Sequence, residues 1–242
     1  MNNPNQFRWG KSQCAYCGKS PATEAEHVVA RGFFPKSIRA SIPFIIVPAC
    51  KDCNHGVGSD LNNDEDYVRS YLSMMFNAQF HKNSLAIANG EVARSMDTGH
   101  GAGRKLLTGI KITDKVSESG LWLGHELRSK PEWDRIDRVL SKIVRGLHFH
   151  ETGRVLPPDH IVTVNAQKLL KSGKIDLDLF MAFDHNMDRN PYVPKQVARQ
   201  ELGDYTFAWW AYLSPNSDSG VWFISFYNGA MAAVVTVLPP KA

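Results

Sequence analysis

CAYCGKSPATEAEHVVARGFFPKSIRASIPFIIVPACKDCNH, residues 14–55, holds all four cysteines of the 242-residue chain as two Cys-x-x-Cys pairs. Cys14 and Cys17 open the stretch, and Cys50 and Cys53 close it. A two-residue spacing lets both sulfurs of a pair face one ion. Two such pairs supply the thiolates of a tetrahedral Zn²⁺ site. The leading MNNPNQFRWGKSQ lacks the apolar core of an export signal, so a cytoplasmic setting is expected, where disulfides are disfavoured. The competing reading makes one pair a redox dithiol and the other incidental. Zinc also answers the stability problem of a small N-terminal lobe.

Between the pairs, the apolar and partly β-branched runs HVV and PFIIVP read as short strands. After Cys53, NHGVGSDLNN reads as a loop and DEDYVRSYLSMMFNAQF as a helix. Val68, Tyr71, Leu72, Met75 and Phe76 share one face of that helix. Asp64, Glu65 and Asp66 are expected in its first turn, where acidic residues suit the positive end of the dipole.

The chemistry lies between the cysteine pairs. Glu26 and His27 stand side by side, and Asn54 directly follows the last cysteine. A carboxylate and an amide oxygen are hard ligands for a divalent cation, and a neighbouring imidazole can take a proton from water near neutral pH. The plainer readings are that His27 packs against the zinc lobe and that Asn54 caps a helix. Taken together, C-A-Y-C-G, E-H-V-V and V-P-A-C-K-D-C-N resemble an HNH endonuclease with the zinc-knuckled ββα-metal fold, over about residues 12–75. The resemblance implies Glu26 as a metal ligand, His27 as general base and Asn54 as second ligand of Mg²⁺ or a similar cation. His55 is the alternative for that last position. It also implies a nucleic-acid partner, here expected to be DNA. The S-D-L-N-N-D-E-D-Y-V-R segment is similar to one that opens the next helix in a subgroup of that family. Ile45 stands where the family usually has its middle Asn, a brace for the His-bearing loop, and Ala30 follows Val29 where a Pro is usual nearby.

Arg31, Lys36, Arg39 and Lys51 lie close to the site in sequence and are candidates for the phosphate backbone. Net charge is +4, and a four-thiolate zinc site would lower it by two, so any polyanion surface must come from local clustering. No stretch approaches the run of about 20 apolar residues that a membrane span needs.

Farther along, SLAIANGEVARSM is expected to hold a short helix and TGHGAGRKLLTG a polar loop. PEWDRIDRVLSKIVRGLHFH reads as a long helix with Pro131 at its first position. Ile136, Val139, Leu140, Ile143, Val144 and Leu147 form its buried stripe. Its basic residues Arg135, Arg138, Lys142 and Arg145 read as a solvated face. His148 and His150 read as ordinary histidines, not a metal pair. IVTV, FAWWAYL, VWFISFY and AMAAVVTVL read as strands. SPNSDSG and Asn228–Gly229 supply turns, and Trp209, Trp210, Trp222, Phe223 and Tyr227 are read as core. The expected architecture is α+β. A zinc-stabilised ββα-metal module at residues 1–80 precedes an accessory region of helix and antiparallel sheet at 81–242. Two other functions fit the same residues: a nucleic-acid-binding module that does not cut, and a scaffold for protein contacts.

Overall fold

The computed structural model describes residues 12–19, 21–56, 60–75, 81–94, 109–129, 131–157, 159–164, 195–214 and 219–237. Strand β1 (Glu24–His27) pairs antiparallel with β2 (Ile46–Ala49), placing Glu26 opposite Val47 and His27 opposite Ile46. HVV was expected as the strand, yet β1 ends at His27. Val28 and Val29 are both buried, which consecutive residues of a strand with one wet face cannot be, so the chain turns inward there. Helix α1 (Lys51–His55) starts on the second cysteine pair and stops at Gly56, whose φ of 73° suits glycine. Helix α2 (Asp60–Met75) begins four residues earlier than expected and buries Tyr67, Val68, Tyr71 and Leu72. Asp64 and Glu65 therefore sit beyond the first turn, where the dipole no longer accounts for them.

Helix α3 (Lys82–Ile87) continues into a π-type turn over Ala88–Val92. An antiparallel hairpin of β3 (Ile110–Val116) and β4 (Trp122–Ser129) follows. It was not anticipated: Ile112, Leu121, Trp122 and Leu123 are all more than half exposed, so the pattern lacks a buried face. Of the expected polar loop at 98–109, only Gly109 lies within the described residues, as do only the ends of the 214–220 turn.

Helix α4 (Trp133–Thr152) buries the whole expected stripe, with Pro131 just ahead of the helix. Strands β5 (Ile161–Val164), β6 (Lys195–Leu202), β7 (Phe207–Leu213), β8 (Gly220–Phe226) and β9 (Ala230–Val237) form one antiparallel sheet in the order β5-β9-β8-β7-β6. The polar edge strand KQVARQEL was not read from sequence. Trp209, Trp222 and Tyr227 are core, while Trp210 and Phe223 are part-buried. The β8–β9 turn is centred one residue before Asn228–Gly229: Tyr227 and Asn228 have φ of 52° and 51°, and Gly229 N–H donates to Phe226 O. Tertiary packing explains the shift. Tyr227 is buried, and its hydroxyl donates to the Phe33 carbonyl at 3.0 Å. Phe33 also meets Phe226 at 5.0 Å, so one hydrophobic core runs from the cysteine lobe through α4 into the sheet. Among the described residues no helix is long and apolar enough to cross a membrane.

Candidate functional site

The cysteines converge first. Their four sulfurs lie within 4.8 Å of one another, with Cys17 and Cys50 at 3.8 Å. Four ligands about 2.3 Å from a tetrahedral zinc stand about 3.8 Å apart, so the cluster fits that ion. The first pair is fastened to the hairpin by Ala15 N–H on the Pro48 carbonyl, and the second by its place at the start of α1. The Cys53 thiol donating to Cys14 lowers the Cys14 pKa to about 4, and that same bond pushes Cys53 above its ordinary value. Sulfurs this crowded cannot all be thiolates without a cation between them.

Beside this cluster lies a second one made of oxygen. Side chains alternate along β1, so Glu24 and Glu26 leave it on one side and His27 on the other. The Glu26 carboxylate is nearly buried and accepts from Lys142 Nζ at 2.5 Å. The same ammonium donates to Glu65 Oε1 at 2.7 Å and to the Asn54 carbonyl at 3.3 Å. Burial alone would lower the Lys142 pKa, but Glu65 and Glu26 together outweigh it and hold it above the usual lysine value. Burial pushes both carboxyls upward, with Lys142 offsetting part of the rise. The Asn54 side chain turns away, its amide donating to Glu24 Oε2 at 2.6 Å, and His55 Nε2 meets the same oxygen at 3.0 Å.

The basic side of α4 is thus not a solvated face. Lys142 is buried, and Arg138 and Arg135 reach Asp64 at 2.7 and 3.5 Å. Arg145 donates to the carbonyls of Leu156, Pro157 and His160. Gly146 explains how α4 comes so near: a β-carbon there would stand 2.9 Å from Val28 and 3.1 Å from the Tyr16 hydroxyl. His148 is buried edge-on to Trp222, and His150 is exposed, so they form no metal pair.

His27 belongs to a separate corner. Its half-buried ring meets Phe44 edge-on at 5.2 Å, and Arg31 lies over the same phenyl ring at 5.8 Å. Burial and then the Arg31 charge hold the imidazole pKa below its ordinary value, which favours the neutral ring. Ile45 is buried in the core, while its neighbour Phe44 packs against the His27 ring. No hydrogen bond or ion pair among the described residues joins His27 to Glu26 or Asn54.

Of the candidate phosphate contacts, Arg31, Lys36 and Lys51 are exposed. Arg39 is committed inward, donating to the Phe34 carbonyl at 2.8 Å and to Glu91 at 2.5 Å. Sequence reasoning missed Glu24, Glu65 and Lys142. The period-two spacing of Glu24 and Glu26 was a readable signal, whereas nothing local ties Lys142 to a strand 116 residues away. Comparison of the chain with protein-family models, with curated proteins and with solved structures found no match.

Proposed function

We propose that the chain is an endonuclease of the HNH type that hydrolyses DNA phosphodiesters, with His27 as general base and a structural zinc on Cys14, Cys17, Cys50 and Cys53. Four thiolates leave zinc no open position, so it holds the lobe together and takes no part in the reaction. The observation that carries the reading is the corner formed by His27, Phe44 and Arg31: a neutral imidazole fixed by an aromatic edge, with an exposed guanidinium over the same ring. Arg31 draws a backbone phosphate to the imidazole. His27 takes a proton from water, and the resulting hydroxide attacks phosphorus. The P–O3′ bond breaks with its electron pair on the 3′ oxygen, which is protonated from solvent. Glu26, an expected ligand of a catalytic Mg²⁺, already holds the Lys142 ammonium together with the backbone carbonyl of Asn54, whose side-chain amide was the other expected ligand, and no step is routed through a divalent ion.

A plasmid-nicking assay tests this, with His27→Ala alongside and zinc content as the check on folding. Cleavage is expected to fall by roughly 10²–10⁴-fold in the variant. Undiminished cutting by His27→Ala would remove His27 from the mechanism. A folded, zinc-loaded protein that cuts neither plasmid, single strands nor RNA would end the enzyme reading. The position of Lys142 favours one rival, a module that binds nucleic acid without cutting. That rival predicts salt-sensitive binding with no product.

A further inference from the structure

We propose that the Lys142 ammonium is the resident cation of the Glu26 site, occupying the place a divalent ion would take. The inference rests on reading Glu26 and Asn54 as part of the functional site. Three oxygens from three elements surround Nζ: Glu26 from β1 at 2.5 Å, Glu65 from α2 at 2.7 Å and the Asn54 carbonyl from α1 at 3.3 Å. An ammonium has three protons to donate, and each finds an acceptor here. The lysine side chain is 6% exposed, with Glu26 and Glu65 at 11% and 13%, so the arrangement is an internal one and not a surface ion pair. Acidic oxygens and a carbonyl are also the ligands a hard divalent ion seeks, at 2.0–2.6 Å. Such an ion on Glu26 and the Asn54 carbonyl would share both oxygens with the ammonium, at a separation where two cations repel strongly.

The reach of Lys142 is built into the helix. Arg135 and Arg138 bind Asp64 two turns and one turn before it, and Gly146 brings α4 against Val28 one turn after it. Lys142 is therefore a positioning residue. It ties β1, α1 and α2 to one point and holds the strand that ends in His27. Two carboxylates against one ammonium leave a single negative charge, whereas two carboxylates alone would be neutralised by one divalent ion. Removing the ammonium should turn the cluster into a cation site.

The test is Mn²⁺ binding, followed by electron paramagnetic resonance on zinc-loaded protein, for wild type, Lys142→Met, and Lys142→Met combined with Glu26→Gln. Methionine keeps the unbranched stem of the side chain without its charged terminal nitrogen. Lys142→Met is expected to bind one Mn²⁺ at least ten-fold more tightly than wild type, and Glu26→Gln should cancel the gain. A merely structural lysine would leave Mn²⁺ affinity unmoved. Wild type that binds Mn²⁺ as tightly as Lys142→Met, or a Lys142→Met that gains nothing, overturns the proposal. Should Lys142→Met fail to retain zinc, wild type against Glu26→Gln decides. Mn²⁺ held by wild type and lost in Glu26→Gln refutes a resident ammonium, and its absence from both upholds it. None of these signals needs cleavage, so a protein that never cuts DNA leaves this result standing by itself. If it does cut, wild type should do so without added divalent metal, and Lys142→Met only with it.

Discussion

The sulfur cluster and the oxygen cluster lie side by side in one lobe and solve the same electrostatic problem differently. Cys14, Cys17, Cys50 and Cys53 bring four ionisable sulfurs within 4.8 Å of one another and include no cationic side chain. Glu26 and Glu65 also converge, but α4 delivers Lys142 between them. Buried charges must be paired, and the partner can come from solution or from the chain. The first cluster calls for an ion, and the second carries its own.

The sharpest way to break the comparison is at the sulfurs. Cys50→Ser should abolish stoichiometric zinc. Structural zinc in small modules is worth ~10 kcal/mol, comparable to the whole stability of a domain, so the cooperative thermal transition of the lobe should go with it. Retention of one zinc per chain by the variant would show that fewer than four sulfurs suffice.

At the oxygens the effect is smaller and depends on pH. Removing one partner of a buried pair costs ~3–5 kcal/mol, and Lys142→Met should lose about that much stability at pH 7. Burial already holds the Glu26 and Glu65 carboxyls above 4.5, and losing Lys142 takes away what offsets it. A carboxyl raised in the folded state adds stability below its unfolded pKa, and that stability is lost as pH rises through the folded value. The melting temperature of Lys142→Met should therefore climb on acidification from pH 7 toward about 4.5, more steeply than in wild type. Parallel curves would mean that Lys142 does not compensate these carboxylates.

How much of this was readable in advance depended on range. The cysteine cluster, the second short strand and the buried stripe of α4 follow from spacings within a few residues. So do the four apolar strands of the large sheet. The hairpin at β3–β4 escaped because its alternation, Ile110 and Ile112 against Lys111 and Thr113, is brief, and β6 because it is largely polar. Asp64, Glu65, Lys142 and Arg138 were assigned to helix ends or to solvent because each looks solvated on its own helix. Only the crossing of α2 and α4 turns them toward one another. Asn54 and His55 were rivals for one role, and both side chains meet Glu24, a residue that had drawn no attention.

Two finer tests remain. Gly146→Ala adds a methyl 2.9 Å from the stiff, branched Val28, and overpacking of that kind costs roughly 1–3 kcal/mol. Denaturant unfolding should register the loss, whereas a stabilised variant, as helix propensity alone predicts, would mean that α4 shifts freely. Arg31→Ala should move the acid limb of cleavage least of all. The imidazole must be neutral to act, and burial depresses its pKa more than Arg31 does. The limb should rise part of the way toward the ordinary imidazole value. An unmoved limb would place Arg31 outside the electrostatic reach of His27.

Sequence separation gives the two clusters different births. Cys17 and Cys50 are 33 residues apart, so a nascent chain can close the sulfur cluster soon after Cys53 leaves the ribosome. Lys142 reaches Glu26 from 116 residues downstream, and the Tyr227 hydroxyl reaches Phe33 from 194. Contacts of such range form late, because a long loop must close before they reward it. Until α4 has been made, then, the cysteine lobe exists with its acidic pocket uncompensated. The β8–β9 turn clamps the Phe33 loop from far downstream, so the four-cysteine cluster can assemble early and the Tyr227 clamp only after the large sheet has been made.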